Sequence, residues 1–239
     1  MHTTAHKVAR FALLTALSLV LGYFDRAVPR TALLGGAVPG IKLGLANTVL
    51  LYGVYMFGWK ECVLLMLAKV GLSGFLFGSL SAMLYSLAGG TLSLTIMLIV
   101  RKKPRIGALT IAVLAALSCA ALRRRNPAPK GQLLVCVILI AAACAAAIAV
   151  YFIIGRKSGF GVIGTSLAGA VAHNIGQILT ASAVLHTPQL LFTYLPVLVG
   201  IGAAVGCMTG IVAERVFHAM RIHPIGRGLQ HSKNKDYTR

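Results

Sequence analysis

The residues best able to do chemistry in this chain lie inside its apolar runs. Gly161, Thr165, Gly169, His173 and Gln177 recur every fourth position within FGVIGTSLAGAVAHNIGQILTASAVL (160–185), which stacks them along one face of a helix. Ser166, Ala170 and Asn174 form a parallel row beside them. Lipid offers an imidazole or a carboxamide no hydrogen bond, so His173, Asn174 and Gln177 are expected to face protein or a cavity. The chemistry such a row supports is recognition of a polar solute. For His173 the plainer alternative is a hydrogen bond to a neighbouring helix.

Two lysines extend the pattern. Lys69 falls near the middle of an apolar run over about 59–78, a depth at which a cation is expensive. The acids are Asp25, Glu61, Glu214 and Asp236, all near the ends of runs or in the tail, and no spacing hands Lys69 a carboxylate. Four states are open to it: neutral, bonded to carbonyls, facing water, or receiving an anionic ligand. Lys42 follows Pro39-Gly40, with Asn47 further along. A helix beginning at Ile41 would present free N–H groups and its positive dipole end there, an anion seat with Lys42 beside it. Alternatively Lys42 snorkels to the interface.

The elements that must position these side chains follow from composition. Hydrophobic residues make up 58% of the 239 positions and charged residues 11%. A soluble domain cannot hide that much apolar surface, so the expectation is all-α: a polytopic membrane helical bundle forming one domain over 1–217. The net charge of +19, from 23 basic and 4 acidic residues, would point to nucleic acid in a soluble protein. Here the bases flank apolar runs, at Lys7 and Arg10, at 101–105, at 156–157 and from Arg215 onward. That is the pattern of cytoplasmic loops under the positive-inside rule, with attraction to anionic membrane lipid as a second effect. No basic stripe carries interleaved aromatics, so no nucleic-acid partner is expected. None of the five cysteines forms a CxxC pair, and buried structural thiols are the default reading.

Spans are expected over about 8–24, 41–58, 59–78, 81–100, 160–185 and 191–217. Between the first two, the stretch 25–40 is broken by Pro29, Gly35, Gly36, Pro39 and Gly40 yet too apolar for a solvated loop, and reads as a lid or a dip into the bilayer. Ala12 and Ala16 form a small-xxx-small ridge in the first run, serving internal packing or the docking of a separate membrane subunit. Tyr52, Tyr55 and Trp59 read as an interfacial belt. Gly200, Gly202, Gly206 and Gly210 mark closely packing faces of the last run. The alanine-rich block 106–156 reads as an inserted apolar hairpin. If both its arms span, Arg123–Lys130 lies opposite the other basic segments, whereas a shallow hairpin keeps the topology intact. That leaves six core transmembrane helices with both termini cytoplasmic, and a basic cytoplasmic tail over 218–239.

The stretches PGIKLGLANTVLLY (39–52), SLAGGTLSL (86–94) and GAVAHNIGQ (169–177) together resemble the Gx transporter family, whose members are often labelled heptaprenyl diphosphate synthase component I. The resemblance covers roughly 8–103 and 158–217, and the 106–156 hairpin has no counterpart in it. That family is similar to the substrate-binding S-components of energy-coupling-factor transporters. The resemblance implies a compact six-helix domain in the cell membrane, with Ala12 and Ala16 as the ridge that docks on a transmembrane coupling subunit bound to ATPases. It also implies that Lys42, Asn47, His173, Asn174 and Gln177 lie near the ligand.

The first functional expectation is therefore a substrate-binding subunit for a small anionic or phosphate-bearing solute, since bases outnumber acids within the apolar runs. It has no nucleotide site of its own, because GxxxxGK[ST] is absent. The alternative is a membrane accessory subunit of isoprenoid or quinone biosynthesis, or of flavin- or quinone-linked electron transfer. Prenyl chain elongation needs paired aspartate motifs that hold magnesium, and Asp25 and Asp236 are far apart, so no enzyme is expected. No CxxCH, cysteine cluster or GxGxxG is present, and no cofactor or metal is expected.

Overall fold

The computed structural model describes residues 2–27, 42, 44–77, 80–102, 161–187 and 194–220. Among them the chain is helical throughout, with no strand. It forms α1 (His2–Ala27), a 3-10 turn (Leu45–Asn47), α2 (Thr48–Met56), α3 (Trp59–Phe77), α4 (Leu80–Lys102), α5 (Val162–Val184) and α6 (Leu195–Ala219). The stretch 25–40 beyond Ala27, the hairpin 106–156 and the tail beyond Met220 lie outside the described residues.

Four helices (α1, α4, α5 and α6) are long and apolar enough to cross a membrane. With so many apolar side chains exposed on their outer faces, such as Leu13, Val20, Met208 and Val212, the chain is a helical membrane protein. The other two of the six described helices fall short of that measure. α2 has only 9 residues, or 12 with the preceding 3-10 turn, about 18 Å at 1.5 Å per residue and so less than a hydrocarbon core. α3 is 19 residues long but carries Lys60, Glu61 and Lys69.

α5 is the axle of the bundle. It is buried along almost its whole length, and its Ile, Leu and Val side is as enclosed as its polar side. Glycine makes this possible. A Cβ on Gly176 would meet the Gly89 Cα at 2.8 Å and the Ala88 carbonyl at 2.9 Å, so α4 and α5 touch backbone to backbone. One turn-pair away, Gly169 leaves the space that Met97 fills. On the opposite flank Gly206 abuts the Leu167 Cα, and Gly210 abuts the Ile163 Cα at 2.8 Å. Gly202, Gly206 and Gly210 thus form a seam with α5 as their spacing predicts. Gly200 does not join it, having nothing within 4 Å.

The expected aromatic belt is only partly one. Trp59 is exposed, with the Lys60 ammonium 5.7 Å from its ring. Tyr52 and Tyr55 are buried and pack their rings on Phe217 at 5.1 and 5.5 Å. The reason is rotational: α2 is enclosed on nearly all sides, with Val49, Leu50, Leu51 and Val54 fully buried, so no face of it is left for an interface.

Candidate functional site

The chain enters α2 through a bend rather than a clean helix start. Gly44 has φ 92, a left-handed conformation that glycine adopts at little cost. A side chain there would also press on His173, whose Cδ2 lies 3.3 Å from the Cβ position. The expected helix from Ile41 is therefore displaced to Leu45, and its amides are not free. The Lys42 N–H donates to Gln177 Oε1 at 2.9 Å, and the Gly44 N–H donates to Asp25 Oδ2 at 3.0 Å. An anion seat made of that helix's open N–H groups does not form, because side chains of two other helices occupy these donors.

Those bonds fix the protonation of their neighbours. A backbone N–H can only donate, so Gln177 presents its oxygen to Lys42 and its NH2 to His173 Nε2, 2.5 Å away. Nε2 therefore accepts, and the neutral ring keeps its proton on Nδ1. Nδ1 lies against α4 at Gly89, where a Cβ would come within 2.8 Å of it. The fourfold spacing of His173 and Gln177 along α5 thus works as a relay, linking the imidazole to the chain entering α2.

The lysines stand on the other side of this relay. Lys42 Nζ donates to Ser73 Oγ at 3.0 Å. Ser73 is one turn from Lys69, on the same face of α3. Lys69 is 7% exposed, lies within electrostatic range of Lys42 and Asp25, and makes no hydrogen bond among the described residues. His173 in turn lies within range of both lysines. Asp25, read as an acid at a span end, is fully buried and joins this group. Its one legible signal is that it closes an apolar run directly before the broken stretch 25–40.

Asn47 and Asn174 are brought to the rim of the group but turn to different partners. Asn47 Nδ2 donates to Ser93 Oγ on α4 at 2.7 Å. Asn174 Nδ2 donates to the Leu198 carbonyl on α6 at 2.7 Å. Asn47 Oδ1, Asn174 Oδ1 and His173 Nδ1 are buried without a hydrogen-bond partner. Such atoms are few in folded proteins. Ser93 lies within the 86–94 stretch that carries the family resemblance, whereas Ser73 is marked in the sequence only by its spacing of four residues from Lys69.

Ala12 and Ala16 lie far along α1 from Asp25, on an exposed face with Leu13 and Leu17. They do not pack internally. Among the described residues no group of three or more His, Cys, Asp or Glu could hold a metal ion.

Comparison with known proteins agrees with the family resemblance. The chain belongs to the heptaprenyl diphosphate synthase component I family, which matches residues 14–123 and 127–216. The two matched segments meet within the 106–156 block. No curated protein and no solved structure matches the chain.

Proposed function

We propose that this protein is a solute-binding subunit in the plasma membrane, with both termini cytoplasmic, which receives a small anionic solute between α3, α5 and the 3-10 turn. The observation that carries the reading is Lys69: a lysine buried near mid-helix with no hydrogen bond among the described residues, in a setting where an unsatisfied polar head is costly. Lys42, Asn47, His173, Asn174 and Gln177 are the polar lining of the site on this reading. The chain is not itself a catalyst on this reading. Energy comes from a transmembrane coupling subunit with ATPases, and the exposed ridge of Ala12 and Ala16 is its docking surface, since small residues allow close helix approach.

The test is binding by purified protein against flavins, vitamins and prenyl diphosphates, with Lys69→Met and His173→Ala as controls. A ligand whose affinity falls at least tenfold in Lys69→Met supports the reading. Affinities unchanged in both variants remove the assigned site.

The family name favours a second reading, an accessory role beside another heptaprenyl diphosphate synthase component. Co-purification with a soluble prenyl synthase subunit, and prenyl elongation only when both are present, would support it over transport.

A further inference from the structure

Asn47 and Asn174 each bury an unpartnered Oδ1, but only Asn174 has an amide whose orientation its partner fixes. The Leu198 carbonyl can only accept, so Asn174 must turn its NH2 to α6, and the atom left over is an oxygen. The Ser93 hydroxyl, by contrast, could bond either end of the Asn47 amide. Asn174 is fully buried. A carbonyl oxygen sealed from water is a cost to the fold unless something donates to it.

The donors on the bend beside it are taken. Asn174 Oδ1 lies 3.9 Å from where a Cβ on Gly44 would sit, so it looks onto the bend before α2. There the Lys42 N–H goes to Gln177, the Gly44 N–H to Asp25, and the Asn47 N–H to the Gly44 carbonyl. The Gln177 NH2 goes to His173. A lone water would be poorly held, because a buried water needs several polar partners. The other atom within 4 Å of that Gly44 position among the described residues is a carbon, His173 Cδ2. A molecule that brings its own donor on a carbon framework fits both neighbours.

We propose that Asn174 is a specificity-determining residue of this site, accepting a hydrogen bond from an N–H or O–H group of the solute beside Gly44. This rests on the solute-binding reading above. A solute whose donor is capped, by methylation for example, leaves Oδ1 buried and unpaired and is rejected.

The test uses the full chain in nanodiscs, with thermal unfolding followed by the fluorescence of Trp59, its single tryptophan. Wild type is compared with Asn174→Leu, and with Asn174→Ala should the first variant fail to fold. Uracil carries N–H donors and its N,N′-dimethyl derivative has them capped. Thymine keeps them while adding a methyl group, which controls for bulk. Resorcinol and its dimethyl ether are the matching O–H pair. Lys69→Met is carried in parallel through the panel of flavins, vitamins and prenyl diphosphates. General solvent effects of a probe are common to both chains and cancel in the difference between them.

The expected result is that uracil and thymine, or resorcinol, raise the midpoint of wild type by roughly 2–4 °C more than that of Asn174→Leu. The capped member of each pair raises the two chains alike. A capped member that loses as much in Asn174→Leu as its parent makes Asn174 a structural support and overturns the proposal. Thymine behaving as the dimethyl derivative does assigns the effect to bulk and overturns it too. So does the absence of any Asn174-dependent response. If Lys69→Met still loses affinity for a solute of the panel, the solute-binding reading stands without the donor contact. If Lys69→Met binds the whole panel as wild type does, both fall together.

Discussion

Among the described residues, basic side chains enter the bundle at two places, buried at one and half-buried at the other, and they are finished differently. Along α5, Thr165 and Gln177 are three turns apart, about 18 Å. Near Thr165, Arg101 donates to the Val54 carbonyl and lies 5.5 Å from the Tyr55 ring, while the Tyr55 hydroxyl bonds Thr165 at 3.0 Å. Val54 is in the last turn of α2, where carbonyls lack helical partners and a cation opposes the negative dipole end. Arg101, Tyr55 and Thr165 thus all find partners within the fold. Near Gln177, Lys69 makes no hydrogen bond among the described residues and Asn174 Oδ1 has no partner. The comparison teaches that a base drawn into the bundle is not a site signal in itself. An unfinished one is.

Four substitutions and one control break or sharpen that contrast. The largest effect is expected at the α4–α5 seam that both regions depend on. Gly176→Val places its side chain against the Gly89 and Ala88 backbone, which cannot move aside, and should abolish recovery of folded protein; overpacking of even one methylene costs about 1–3 kcal/mol. Gly200→Ala, with open space around it, is the control and should leave the melting temperature within a degree or two. Size-exclusion profiles and thermal melts of the two variants read the difference.

Next comes the direct exchange between regions. Lys69→Met should lower solute affinity by roughly 10–100-fold, the equivalent of one charge-assisted hydrogen bond, without lowering the unfolding midpoint. Arg101→Met should do the reverse: solute affinity unchanged, and stability reduced by about 1.5–3 kcal/mol because the Val54 carbonyl loses a charged donor. Paired melts and binding isotherms decide it. A Lys69→Met chain that melts far below wild type would make Lys69 structural and erase the contrast. The smallest effect is expected for Tyr55→Phe. It keeps the ring on Phe217 and removes only the hydroxyl bond to Thr165, lowering stability by about 0.5–1.5 kcal/mol with no change in binding.

Much of the architecture was legible in the residues because it depends on near neighbours. The helices observed over Trp59–Phe77, Leu80–Lys102 and Val162–Val184 follow apolar runs whose ends can be read directly. The fourfold rows on the fifth helix do lie against other helices. Their division is a tertiary matter: His173 and Gln177 serve the α2 and α4 side, whereas Ser166 bonds Thr209 and Asn174 bonds Leu198, both on α6. Periodicity tells which residues share a face, never which helix that face meets.

Helicity, apolar length and the depth of Lys69 were written in the sequence, since each arises within about twenty consecutive residues. What only the tertiary structure decided is who stands beside whom. Lys42 meets Gln177 across 135 positions and Asn47 meets Ser93 across 46. Asp25, at the end of the first helix, enters the lysine group because the bend at Gly44 returns the chain to it. Such meetings depend on the rotation and crossing of whole helices, set by glycine seams summed over the bundle, and no local pattern encodes that sum.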